Sequence, residues 1–232
     1  CETCLLNITE KTACVIVDTV HCETWVYAPL PGYLRKLIQR CSEVGALLVF
    51  DEIQAGYGRT GSLWAFEQQD AVPDILLLAK GMGGGMPIGA FVASRQIMEV
   101  LSHNPILGHI TTFGGHPVSC AAGLATLQTL LNNSYIAQVK AKEALFVSIL
   151  QHPEIISVRS AGLWLAVELR DFDFLQKVIQ HCLQAGLITD WFLFNDRSLR
   201  IAPPLIIEEE QIKWACEVIL NAIDQAMAQE KG

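Results

Sequence analysis

Apolar residues in this chain come in short unbroken runs, separated by longer stretches where they recur every three or four positions. Ala13-Cys14-Val15-Ile16-Val17 stops at Asp18, and Leu47-Leu48-Val49-Phe50 stops at Asp51-Glu52. Runs of this length, β-branched or leucine-rich and stopped by charge, predict strands buried on both faces. Between them, residues 33–44 carry apolar side chains at 34, 37, 38, 41 and 44, opened by Pro29-Leu30-Pro31-Gly32 and closed by Gly45. That spacing and punctuation predict an amphipathic helix, and strand, helix, strand in this order predicts a parallel crossover. Ile75–Ala79 and Gly89–Ala93 read as third and fourth strands around the glycine-rich segment 81–87.

Helical spacing returns over 117–131 and 135–150, broken only by Asn132-Asn133-Ser134. A domain boundary is placed there, giving 1–131 as the C-terminal half of a large domain and 132–232 as a small α+β domain. The small domain is read as a strand-like run over 162–169, a helix over 173–185, a segment 199–201 leading into Pro203-Pro204, and a closing helix over 208–229. The predicted fold class is α/β: a mostly parallel sheet flanked by helices, then the small α+β unit.

Composition narrows the function classes. Hydrophobic residues make up 51% and charged residues 17% of the 232, which excludes a disordered chain. The mean hydropathy of +0.34 is high for a lone soluble domain and points to an oligomer interface. No apolar run is long enough to span a bilayer, so no membrane is expected. With 16 Lys plus Arg against 24 Asp plus Glu and no basic block, nucleic acid is not an expected partner. The eight cysteines lie mostly in apolar segments and read as reduced core thiols of a cytoplasmic protein. Cys1-Glu2-Thr3-Cys4 has no second pair, and the histidines at 21, 103, 109, 152 and 181 lack ligand spacing, so no metal is expected.

The stretch with most chemical content is Asp51-Glu52-Ile53-Gln54-Ala55-Gly56-Tyr57-Gly58-Arg59-Thr60-Gly61, an acid at a strand's carboxyl end followed by a polar, glycine-rich loop. Ligands of open α/β sheets sit at that edge. Lys80 follows the next predicted strand, directly before glycines. Taken singly, the acid reads as well as a turn residue and the lysine as a solvated strand end. Together they are what an aromatic aldehyde cofactor requires, an amine to bond its carbon and a carboxylate to keep its ring nitrogen protonated.

From Ala13-Cys14-Val15-Ile16-Val17 through Asp-Glu-Ile-Gln and Leu-Ala-Lys-Gly to Leu199-Arg200-Ile201-Ala202-Pro203-Pro204, the sequence resembles the class III, fold-type I aminotransferases. These use pyridoxal 5′-phosphate (PLP), and the resemblance is to their C-terminal part. It implies Asp51 as partner of the pyridine nitrogen, Gln54 as a contact of the ring oxygen and Lys80 as Schiff-base lysine and proton carrier. It also implies that Thr112 reaches the cofactor phosphate of a neighbouring subunit, hence a homodimer with shared active sites. His116 stands where the family usually has Asn. Arg200 is implied as the clamp for the carboxylate of 2-oxoglutarate, with Glu23 as its partner when the amine donor is bound. The segment 18–24 departs from the family's Glu-Pro-Val-Gln-Gly-Glu-Gly-Gly pattern, with Asp18 for the first acid and no glycines.

The implied activity moves an amino group from an ω-amino acid such as ornithine, acetylornithine or 4-aminobutyrate to 2-oxoglutarate. Two alternatives stay open: an aminomutase or decarboxylase on the same fold, and a truncated, non-catalytic relative acting as a dimerisation module. The phosphate-holding glycine loop and the ring-stacking aromatic of the family find no counterpart before Asp18.

Overall fold

The computed structural model describes residues 2–104, 106 and 108–230. The chain forms two compact units: Cys1–Thr19, Pro29–Tyr57 and Ser62–Ser134 in one, and Val20–Ala28, Gly58–Gly61 and Tyr135–Gly232 in the other. The second unit thus recruits two segments from early in the chain. Cys1, and with it the C-x-x-C reading, lies outside the described residues.

The first unit contains helix α1 (Glu2–Leu6), strand β1 (Cys14–Asp18), helix α2 (Tyr33–Val44), and strands β2 (Leu47–Asp51), β3 (Ile75–Leu78) and β4 (Ala90–Ala93). Helices α3 (Arg95–Glu99) and α4 (Pro117–Asn132) complete it. The strand order is β1-β2-β3-β4. β1, β2 and β3 run parallel in register, with Asp18 opposite Asp51 and Asp51 opposite Leu77. β4 returns antiparallel, Leu78 facing Ala90, so the glycine-rich connection turns back at the edge where β3 ends. Leu34, Leu37 and Cys41 of α2 pack with Leu48 and Phe50 of β2 and with Ala71, which fixes the crossover. Each fully buried leucine or phenylalanine among these contributes about 1.5–3 kcal/mol relative to exposure.

Two expectations are corrected here. β2 is largely buried, but β1 alternates between exposed and half-buried positions, and Ile16 is 64% exposed. β1 is one of the two edge strands of this four-stranded sheet, so among the described residues one of its flanks has no strand beside it. The cysteines also divide: Cys22, Cys41, Cys182 and Cys216 are buried, whereas Cys4, Cys14 and Cys120 are exposed. Cys14 follows the outward pleat of β1, and Cys120 sits on α4, of which only Ser119 and Gly123 are buried.

The second unit contains helix α5 (Tyr135–Ile149), strands β5 (Ser157–Ser160) and β6 (Leu165–Glu168), and helix α6 (Phe172–Gln184). Strands β7 (Asp190–Phe192) and β8 (Asn195–Ile201) and helix α7 (Glu209–Gln229) follow. Its sheet runs β5-β6-β8-β7, antiparallel throughout. Val139 and Phe146 of α5, Phe174 and Val178 of α6, and Ile212 and Ile219 of α7 close over Leu165, Val167 and Leu199. Asp171 caps α6, its carboxylate accepting a hydrogen bond from the Phe174 N–H at 2.8 Å.

Two partnered charged groups, half-buried Arg59 and buried Glu168, lock this unit. Arg59 donates from Nη1 to the carbonyls of Leu163 (2.9 Å) and Pro203, and burial pulls its guanidinium down to about 10. Glu168 accepts from Arg159 Nη1 at 2.7 Å and Ser157 Oγ at 2.8 Å, while Arg159 lies over the Trp25 ring at 4.7 Å. Burial alone raises the Glu168 carboxyl, but the hydrogen bonds of Arg159 and Ser157 and the charges of Arg159 and Arg197 outweigh it and hold the group below its ordinary value.

Two predictions follow from this packing. At Gly162 (φ +67°) a Cβ would fall 2.3 Å from the Arg59 carbonyl oxygen and 2.6 Å from the Thr60 Cα, both backbone atoms. Gly162→Ala is therefore expected to lower unfolding free energy by more than about 2 kcal/mol in urea titration. Because the folded-state pKa of Glu168 lies below its unfolded value, its stabilisation is present above the unfolded value of about 4.3 and lost as pH falls through the folded one. Stability measured from pH 6 downward should fall less steeply in Glu168→Gln than in the parent.

Candidate functional site

Three parallel strands ending level with one another set the geometry of the first unit. Asp51 closes β2, and the next residue, Glu52, donates its N–H to the Leu77 carbonyl of β3 at 3.0 Å. Lys80 comes two residues after the end of β3, so Asp51 and Lys80 occupy the same carboxyl edge of the sheet. This is the edge where a parallel sheet receives a ligand.

The two neighbouring acids have different roles. Glu52 is fully buried, and its oxygens accept the Ala65 and Phe66 N–H groups at 2.8 and 2.9 Å. Burial pushes its carboxyl upward, against those hydrogen bonds. Glu52 therefore anchors the 3₁₀ turn Ala65–Gln69. Asp51 is half-buried, and its Oδ1 accepts the Ile53 N–H at 2.9 Å, an Asx turn that fixes the direction of its side chain. Gln54 follows, half-buried, in the turn that this bond begins.

Lys80 opens the 3₁₀ turn Lys80–Gly83 with φ of +45°, in the left-handed region that non-glycine residues avoid. Held there, a lysine costs about 1–3 kcal/mol, strain of the kind that gathers at functional positions. Downstream, Gly84 (φ +55°) lies against α4 so closely that a Cβ would sit 2.1 Å from Thr126 Oγ1. The glycine-rich connection is thus pressed onto a helix, with the lysine raised and exposed at its start.

Thr112 is exposed in an open cavity of about 600 Å³ lined by Ile88, Gly89, Phe113, Gly115 and Ser119 among others. Since Pro87–Gly89 lead into β4, whose first residue pairs with the last of β3, this cavity lies at the same edge of the sheet. His116 occupies the N-cap position of α4 without a side-chain capping bond.

The second unit holds the other pair. Segment 20–28 is closed by a bridge between His21 and Tyr27, and Glu23 clips it to the β7–β8 hairpin. The Glu23 carbonyl accepts the Phe194 N–H at 3.0 Å and its Oε2 the Leu193 N–H at 3.3 Å. Glu23 Oε1 lies 3.5 Å from Arg200 Nη1. Sequence reasoning missed the stronger partner: Asp190 accepts from Arg200 Nε at 2.8 Å and Nη2 at 2.7 Å, a two-point fork. Arg200 also lines an apolar cavity of about 420 Å³ with Ile188, Pro203, Ile207 and Trp214.

The sequence pattern of the aminotransferase class-III family matches residues 2–223, nearly the whole chain. The chain belongs to the class-III aminotransferases. These are PLP-dependent enzymes, and the architecture is that of PLP fold type I. Among solved structures, the chain is similar to an ornithine aminotransferase from Toxoplasma gondii, at 31% identity and a TM-score of 0.88 over 100% of this chain and 55% of that one. PLP is described at partial occupancy at that protein's active site. An acetylornithine aminotransferase from Elizabethkingia anophelis is 30% identical over 97% of this chain and 57% of its own, with a TM-score of 0.86. Ornithine δ-aminotransferase from Plasmodium falciparum is 29% identical over 97% and 59%, also at 0.86. This class-III aminotransferase chain therefore spans little more than half the length of these relatives. Among its described residues no helix is long and apolar enough to cross a membrane.

The strain at Lys80 is directly testable. Glycine tolerates positive φ and alanine does not, so Lys80→Gly should unfold at higher denaturant than Lys80→Ala, by about 1 kcal/mol. Equal stabilities would mean that position 80 relaxes out of the left-handed region once the lysine is removed.

Proposed function

We propose that the natural protein containing this chain is a PLP-dependent aminotransferase that moves an amino group from an ω-amino acid, of the ornithine, acetylornithine or 4-aminobutyrate kind, to 2-oxoglutarate. The observation that carries the reading is the exposed, left-handed Lys80 at the same sheet edge as Asp51. The residues fit the cofactor: an amine on a strained turn, an oriented carboxylate, an amide in the following turn, and a threonine in a cavity at the same edge. Asp51, Gln54, Lys80 and Thr112 would hold PLP, which when bound supplies an electron-withdrawing ring and a carbonyl carbon able to accept an amino group.

Each residue then has a physical task. The Asp51 carboxylate, its direction fixed by the Ile53 N–H, keeps a proton on the ring nitrogen by charge. Lys80 Nζ, on its fixed turn, is the base that takes a proton from the substrate carbon bearing the amine and, as the acid, would deliver it to the cofactor carbon that receives the amino group. Arg200 presents a planar fork suited to a substrate carboxylate, and Glu23, at a single 3.5 Å contact, is the neighbour most easily displaced. Thr112 is assigned to the phosphate held by a second copy of the chain, in a homodimer. Supporting this are Phe113, Val118, Leu124 and Leu131, large apolar side chains left exposed on and beside α4. A cytoplasmic setting belongs to the same reading and rests on cysteines that are free thiols among the described residues.

The test is chemical. Incubating the natural protein with PLP, reducing with borohydride and mapping peptides should give a pyridoxyl group on Lys80. Lys80→Ala should give none and lose transamination by at least about 10³-fold, the order of loss when a positioned nucleophile and base is removed. A natural protein that takes up no PLP at Lys80, or takes it up and does not transaminate, overturns the reading.

A further inference from the structure

Arg200 is held by more negative charge than it neutralises. Asp190 occupies its Nε and Nη2 donors at 2.8 and 2.7 Å, and Glu23 approaches Nη1 at 3.5 Å, so the trio carries a net charge of one minus. The two contacts are unequal. The Asp190 fork is bidentate, short and between residues opposite one another on β7 and β8, whereas the Glu23 contact is long and single. Of the two contacts to Arg200, that of Glu23 is the more easily displaced, although its Oε2 also accepts the Leu193 N–H at 3.3 Å.

We propose that Asp190 is a specificity-determining residue: by keeping the Arg200 fork half-occupied and the local charge negative, it weakens the grip on a substrate's second carboxylate and favours a substrate with a cationic far end. The proposal rests on the reading of Arg200 as a substrate contact and goes beyond it by assigning the preference.

The physics is a charge count. With Glu23 displaced, Arg200 and Asp190 cancel, and a dicarboxylate meets a neutral pair that still offers the end-on donors of Nη1 and Nη2. With Glu23 in place, an ammonium meets two carboxylates and one guanidinium. Arg200 and Glu23 side chains are 30% and 25% exposed and Asp190 49%, so water screens these charges in part and the preference is graded. The geometry is nevertheless firm, because the backbone supports it. Thr189 Oγ1 donates to the Arg200 carbonyl at 2.8 Å, and a register shift between Trp191 and Phe192 brings Asp190 opposite Arg200.

Binding of two unreactive probes to the natural protein tests this by calorimetry: glutarate as dicarboxylate and 1,5-diaminopentane as dication. Asp190→Asn should tighten glutarate and weaken the diamine, each roughly fivefold, as expected for removing one unit charge nearby in partly screened surroundings. Asp190→Glu, which keeps the charge, should stay close to the parent in its ratio of the two affinities. A merely structural Asp190 would shift both probes in the same direction or neither, and that result overturns the proposal, as does a parent protein that binds neither probe. Transamination measured alongside separates the two readings: if Lys80 takes up no PLP but the probes respond in opposite directions, the catalytic reading fails and the role of Asp190 stands.

Discussion

Register between β1, β2 and β3 is the constraint on which the first unit depends. Parallel strands share one polarity, so their carboxyl ends meet at one edge, and the backbone pairing of Asp18 with Asp51 and of Asp51 with Leu77 holds those ends level. Strand side chains alternate between faces, so slipping β2 by one residue would exchange its faces and take Phe50 off the face where it packs with Leu34 and Leu37 of α2. It would also pull Glu52 away from the two N–H groups that satisfy it, leaving a buried carboxylate without compensation. The apolar run and the buried acid therefore enforce one register, and that register leaves Asp51 at the edge with its carboxylate turned by Ile53.

The second unit solves a different problem, holding an early loop against a late hairpin. Glu23 accepts two N–H groups from the turn between β7 and β8, and Arg159 reaches from β5 to stack on Trp25 while donating to the carbonyl of the same residue at 2.9 Å. Trp25, Arg159 and Glu168 form one chain of contacts in which each charge is partnered before it is buried. This is why residues 20–28 belong with 135–232 although the sequence places them next to β1.

Much of the architecture was legible because it follows from local periodicity. The apolar positions at 34, 37 and 41 became the buried face of α2, with bounds of Tyr33–Val44 as read, and the Asn132-Asn133-Ser134 break separates α4 from α5. β5, Ser-Val-Arg-Ser, was missed because its polar residues are satisfied by tertiary partners, Glu168 among them, that no local pattern announces. The antiparallel course of β4 was equally hidden, since a continuous apolar run looks the same in either direction. Asp51 and Lys80 stood out because strand ends are readable, but the anchoring task of Glu52 did not, because it depends on its oxygens meeting the distant Ala65 and Phe66 N–H groups.

The pairing of Asp190 with Arg200 shows most sharply where local reading stops. The hairpin starts with Phe192 opposite Asn195, and an unbroken ladder from there would set Asp190 opposite Arg197. Instead the register shifts between Trp191 and Phe192, Trp191 faces Leu199, and Asp190 faces Arg200. Leu199 and Phe192 are both fully buried, so the shift is held by core packing as well as by the ladder. The bulge thus selects which of two arginines receives the carboxylate: Arg200, beside Glu23, and not Arg197, which lies near Glu168 at 3.6 Å. A β-bulge is a recurrent way to re-aim one side chain without disturbing a sheet, and here it sets the charge around the one guanidinium that the substrate reading depends on.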